Sequence, residues 1–138
     1  MPKKFSSAFF GGGPISFLGY SSRDEAYSAE ILKAMSAKGL TVYPVNPRQG
    51  ASFQSKVYAS LSELPAKSED AILLLSNEKA DAALDELAAK GYKRVLLRHK
   101  GTAVAKAEKL GLEVAVGCPL MAYGKGLHRF HGFLAGVR

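Results

Sequence analysis

Five short apolar runs alternate with helical stripes along this chain, and no other feature constrains the fold as strongly. The runs are Ile15–Gly19, Thr41–Val45, Ala71–Leu75, Arg94–Leu97 and Glu113–Val116. Short runs rich in Val, Ile and Leu suit strands buried on both faces of a parallel sheet. Between them, Tyr27, Ile31 and Met35 recur at i, i+4 and i+8 with Ala34 beside them. Ala80, Ala83, Leu84, Leu87 and Ala88 make a fuller stripe. Thr102–Leu110 is shorter, with Val104 and Ala107 facing Leu110. Gly39, Gly91 and Gly111 each follow a stripe and precede a strand, where a left-handed residue ends a helix. Ser76 or Asn77 can cap the second main helix. Ser60-Leu61-Ser62-Glu63 has the capping-box form ahead of Pro65. Strand, helix and strand in succession predict a doubly wound α/β sheet with right-handed crossovers.

The organisation follows. The 138 residues suit one domain, 1–138, since ~100–200 residues is the usual size. Residues 1–14 read as an amino-terminal extension, with Gly11-Gly12-Gly13-Pro14 as a hinge. Residues 119–138 read as a tail whose Leu127, Phe130, Phe133 and Leu134 suggest a short helix. The apolar ends Phe5–Phe10 and Leu127–Leu134 could pack on the body or on a second copy, so a homo-oligomer is open. Asn46–Asp70 should be the least regular connection. One cysteine excludes an internal disulfide framework and a four-cysteine zinc site. No apolar run approaches the ~18 residues of a membrane span, and no signal-peptide pattern opens the chain. The expectation is a soluble, cytoplasmic protein.

The charge points to an anionic partner. Nineteen Lys and Arg against twelve Asp and Glu give a net +7. Nucleic acid, an anionic membrane surface and a polyphosphate ligand are all compatible with it, as is a merely solvated surface. Ligands of open parallel sheets bind at the carboxyl ends of the strands. Arg23, Arg48, Arg98, His99 and Lys100 fall at those ends. Lys33, Lys38, Lys90, Lys106 and Lys109 fall on helix faces and read as solvated. A small polyphosphate in one crevice therefore fits better than a nucleic-acid strand, for which no recognised motif appears.

Gly19-Tyr20-Ser21-Ser22-Arg23 is the most informative loop. A glycine leaving a buried strand lets a ligand approach the backbone closely. The serines then precede a helix whose free N–H groups favour phosphate. The same serines serve equally as a plain helix cap. The loop is no dinucleotide fingerprint: G-x-G-x-x-G needs three glycines after the strand, and only Gly19 follows it. At the end of the second strand, Asn46-Pro47-Arg48 stands where an acidic residue would hold a dinucleotide ribose. Arginine there suits a phosphorylated ribose. No Walker lysine is present, which argues against nucleotide hydrolysis.

Gly19-Tyr20-Ser21, Tyr43-Pro44-Val45-Asn46-Pro47, Tyr58-Ala59-Ser60-Leu61 and Cys118-Pro119 together resemble the small stand-alone CoA-binding proteins. These are similar to the CoA-binding domain of the succinyl-CoA synthetase alpha subunit. The resemblance covers about residues 15–121. It implies a Rossmann-like parallel sheet of about five strands, in the order 3-2-1-4-5, with helices on both faces. It implies that Gly19, Tyr20, Ser21 and Ser22 hold the pyrophosphate; Arg23, read from the loop itself, can add a charge. It puts Asn46, Pro47 and Arg48 at the adenosine ribose and its 3′-phosphate, and Leu75, Ser76 and Asn77 on the adenine side. Relatives often carry a basic residue after an aromatic where this chain has Leu74-Leu75-Ser76. Many have tryptophan and glutamine where it has Leu97-Arg98. The implied cofactor is coenzyme A or an acyl-CoA, held without catalysis. An NADP-dependent enzyme or redox sensor using the same crevice is the alternative, and a charge-driven nucleic-acid or protein-interaction module the next.

No catalytic pair stands out, and the metal reading is none. His128 and His131 are spaced i, i+3 on the tail and read as surface or packing. His99 has no visible partner. Cys118 reads either as a buried small hydrophobe or as a thiol able to form a mixed disulfide with CoA.

Overall fold

A computed structural model of the chain describes residues 3–6, 9–20, 25–46, 57–98 and 101–120. Ser21, Ser22, Arg23, Pro47, Arg48, His99, Lys100, His128, His131 and the tail stripe lie outside the described residues. The strands are β1 (Lys3–Lys4), β2 (Ile15–Leu18), β3 (Val42–Val45), β4 (Asp70–Leu73), β5 (Arg94–Leu97) and β6 (Glu113–Val116). The helices are α1 (Glu25–Ala37), α2 (Asn77–Ala89) and α3 (Thr102–Lys109), with a 3₁₀ turn at Leu61–Glu63. All strand pairs are parallel, in the order β1-β6-β5-β4-β2-β3.

The doubly wound α/β architecture is as expected, but the strand order is not. Counting the five expected strands β2 to β6 as one to five, the order is 2-1-3-4-5 rather than 3-2-1-4-5. Strand β4 pairs with β2, Ile15 opposite Asp70, and leaves β3 on the rim. Pro44 gives the physical reason. Its carbonyl accepts from Tyr58 N on the outer side of β3 (2.9 Å). Its missing N–H therefore faces the rim, where among the described residues only the single bridge to Tyr58 pairs. The Ala71-Ile72-Leu73 run, buried on both faces, takes the central place.

Side-chain alternation builds two cores. Ile15, Phe17, Ile72, Leu96 and Ala115 share one cluster with Ile31 and Met35 of α1. Leu18, Ala71, Leu73, Val95, Leu97 and Val114 share the other with Leu84 and Leu87 of α2 and Ala103, Val104 and Ala107 of α3. The period of two along β2 and β4 is what sends neighbouring residues to opposite layers. Gly39, Gly91 and Gly111 end the helices with φ of 82°, 83° and 86°. Ser76 is the cap of α2, its Oγ accepting from Lys79 N. The Ser60 box forms only in part: Glu63 takes the N–H of Ala59 at 3.0 Å, and Ser60 makes no side-chain cap bond.

Two expectations for the surface are corrected. The segment read as a hinge is tied down: Gly11 N donates to Asp70 Oδ2 (2.9 Å) and Pro14 O accepts from Ser68 Oγ (2.6 Å). Lys106 is not merely solvated, since its ammonium bridges Asp81 and Asp85 of α2 at 2.8 and 2.7 Å. Of the extension, Lys3–Lys4 forms a sixth strand beside β6, Phe5 is fully buried, and Phe9 and Phe10 pack on the α1-side cluster.

Candidate functional site

The chain leaves β2 toward β3 on one side and crosses to β4 on the other. The topological switch point therefore lies between the carboxyl ends of β2 and β4, where open α/β sheets take their ligands. Gly19 sits there with φ +92°. A Cβ at this position would stand 2.5 Å from the Leu74 carbonyl oxygen and 3.0 Å from Leu75 Cδ2. Only glycine keeps the β2 exit this close to the β4 exit. The corrected strand order thus brings Leu74 and Leu75 beside Gly19. In the order 3-2-1-4-5 they would stand two strands away.

The neighbouring loop is locked to this one. Gly19 N reaches Val45 O at 3.3 Å, and Asn46 Nδ2 donates to Tyr20 O at 2.7 Å. Asn46 N in turn donates to Tyr58 O (2.9 Å), and the Tyr43 and Tyr58 rings meet edge to face at 5.9 Å. Among the expected ligand residues, Asn46 thus spends its amide holding the Gly19 loop. The Tyr20 ring is fully buried edge to face with Phe17 at 5.8 Å, so Tyr20 offers the crevice its backbone. Leu75 is half-buried against the α2-side core, and Ser76 is exposed at the head of α2. The backbone of Asn77 opens that helix.

A second group gathers further along the same edge. Arg98 follows β5, Cys118 follows β6, and Tyr27 lies in the first turn of α1. The Arg98 guanidinium lies over the Tyr27 ring, 5.5 Å from its centroid, and Tyr27 OH is 2.8 Å from Cys118 Sγ. Arg98 is exposed, and the tyrosine and the thiol are half-buried. Burial first, then the bond to Cys118 and its charge, push the Tyr27 phenol up to about 12, with Arg98 opposing. The phenol is neutral at ordinary pH. Tyr27 was legible in the sequence only as a core position; its polar tip at the start of the stripe was the one signal of a site role. Arg98 follows the carboxyl end of β5, where the sequence places it.

Electrostatically the edge suits an anion. The helices α1, α2 and α3 all begin on it, so their N–H ends and positive dipole poles lie at the carboxyl ends of the strands. Among the described residues, no group of three or more His, Cys, Asp and Glu gathers as a metal would need. No described helix is long and apolar enough to cross a membrane.

A parallel, doubly wound sheet with a glycine at its switch point and three helix starts along one edge is an α/β fold of the Rossmann-like class. Residues 14–124 match the family model of the CoA binding domain, and the chain belongs to that family. A conserved hypothetical protein from Pyrococcus furiosus is 25% identical at a TM-score of 0.63, over 77% of this chain and 94% of its own. A hypothetical protein from Pyrococcus horikoshii OT3 is 25% identical at 0.65, over 92% and 85%. The fold also recurs in a dinucleotide-forming acetyl-coenzyme A synthetase 1 of Candidatus Korarchaeum cryptofilum, at 23% identity and a TM-score of 0.60, over 77% of this chain and 26% of that one. No curated protein matches the chain.

Proposed function

We propose that this protein binds coenzyme A or an acyl-CoA at the carboxyl edge of its sheet and performs no chemistry on it. The close approach at Gly19 carries the reading. Membership in the CoA binding domain family supports the ligand, and the switch point supports its place. The pyrophosphate would lie over Gly19 and the start of α1, where backbone N–H groups and a helix pole meet it. Each such pole stabilises a nearby anion by about 0.3–1 kcal/mol when exposed, and more where water is excluded. Ser21, Ser22 and Arg23 would add donors. Pro47 and Arg48, following Asn46, would face the ribose 3′-phosphate. Leu75, Ser76 and Asn77 would flank the adenine, with Arg98 as a further charge on the rim.

Isothermal titration with CoA, dephospho-CoA and NADPH tests the proposal. Saturable heat with CoA and weaker binding of dephospho-CoA are expected, because the latter lacks the phosphate assigned to Arg48. Absence of heat with CoA would defeat the proposal. Equal affinity for CoA and dephospho-CoA would remove the role of Arg48, and preference for NADPH would replace the ligand.

A further inference from the structure

Arg98 ends against a helix from another part of the sheet. It follows β5, and β4 separates β5 from β2, whose exit leads into α1. Two strand spacings put about 10 Å between β5 and β2. The Arg98 guanidinium nevertheless lies over the ring of Tyr27, 5.5 Å from its centroid, and Tyr27 is the third residue of α1. The contact holds the charge one side chain away from the first turn of that helix.

The ring beneath it is anchored at both ends. Its body packs on the α1-side cluster, and its OH sits 2.8 Å from Cys118 Sγ, past the end of β6. An arginine alone at a strand exit keeps the rotamer freedom of a long side chain, which binding must then freeze. Stacked on an anchored ring, Arg98 is confined before any ligand arrives.

The order of the strands decides which ligand group the charge serves. The ribose 3′-phosphate falls to the loop after β3, and both β2 and β4 stand between β3 and β5. Three strand spacings, about 14 Å, separate that loop's start from the β5 exit. The pyrophosphate falls to Gly19 and the start of α1, on the side where Tyr27 holds Arg98. Backbone N–H groups and a helix pole offer a diphosphate partial charge only. A guanidinium adds a full charge and paired donors that match phosphate oxygens.

We propose that Arg98 is the cation that meets the ligand's diphosphate, and that Tyr27 is its positioning residue, holding the guanidinium near the start of α1. The assignment rests on the CoA reading above.

Isothermal titration of the full-length protein with CoA and dephospho-CoA tests it, since both carry the diphosphate and only CoA has the 3′-phosphate. Arg98→Gln, at an exposed position, is expected to weaken both about tenfold and to leave the preference between them unchanged. Tyr27→Leu keeps the net charge and should weaken both about threefold. Tyr27→Phe, which keeps the ring, should recover most of that loss. Tyr27→Leu should add nothing to Arg98→Gln, because its effect passes through the guanidinium. If Tyr27→Leu does not fold, the adaptable side chain of Tyr27→Met takes its place. Wild-type affinities in Arg98→Gln would overturn the proposal, and so would a loss confined to CoA. Equal losses in Tyr27→Phe and Tyr27→Leu would overturn the positioning role. If wild type binds neither nucleotide, inorganic pyrophosphate separates the two proposals. Binding of pyrophosphate that Arg98→Gln abolishes would keep the Arg98 assignment while the CoA reading falls, and no binding would overturn both.

Discussion

Gly19 shows how much one missing methyl group carries. Gly19→Ala must both adopt a left-handed backbone and push against the Leu74 carbonyl. The strain should cost about 1–3 kcal/mol, visible as a lower melting temperature. It should also weaken CoA more than the stability loss accounts for, since the same methyl enters the crevice. Tyr27 supports a prediction in pH. Its folded-state phenol titrates at about 12 against 10 for a free tyrosine, so the folded chain holds that proton more tightly. The stability it contributes is complete below pH 10 and is lost as pH rises from 10 toward 12. Absorbance titration at the tyrosinate band, wild type minus Tyr27→Phe, should show this group ionising late. Cys118→Ala should bring it down, because the thiol is among the causes of the rise. Neither the Tyr27–Cys118 contact nor the Arg98 stacking was legible beforehand: the two partners of the first stand 91 positions apart, and no periodicity links them.

Among the elements, strand β2 is pinned at its amino half by a buried hydroxyl pair, Ser16 Oγ to Tyr92 OH at 2.6 Å. Tyr92→Phe takes that partner from Ser16, which is fully buried. The expected cost is about 1–3 kcal/mol in denaturant unfolding, with little effect on CoA binding because the pair lies near the amino edge. The five expected strands and three helices were readable within about two residues because apolar period and helix-ending glycines agree at each of them. The order 3-2-1-4-5 is what the family resemblance implies, and the pairing of β4 with β2 overturns it. Pro44 carried the better signal, since a proline inside a strand belongs on a rim. Strand β1 gave no signal at all. Two lysines show neither alternation nor β-propensity, and their pairing with β6 uses backbone groups only. Gly19 at the β2 exit was readable from its position after a strand. The buried state of Tyr20 and the tying role of Asn46 were not, because both depend on which strands become neighbours.

For the whole molecule, CoA should act as a stabiliser if the crevice is its site. At a hundred times its Kd, a ligand of the folded state alone adds about 2.7 kcal/mol, read as a concentration-dependent rise in melting temperature. The same rise should shrink in Gly19→Ala. The parallel pairing of Lys3–Lys4 with Ala115–Val116 bears on how the molecule is made. On a ribosome, residues that emerge first must wait for almost the whole of β6 before their hydrogen bonds have a partner. Phe5, Phe9 and Phe10 are exposed during that interval unless another surface shelters them. Contacts of such long sequence separation slow folding. Nascent chains stalled before residue 113 should therefore keep these residues protease-sensitive, and chains released past 116 should protect them.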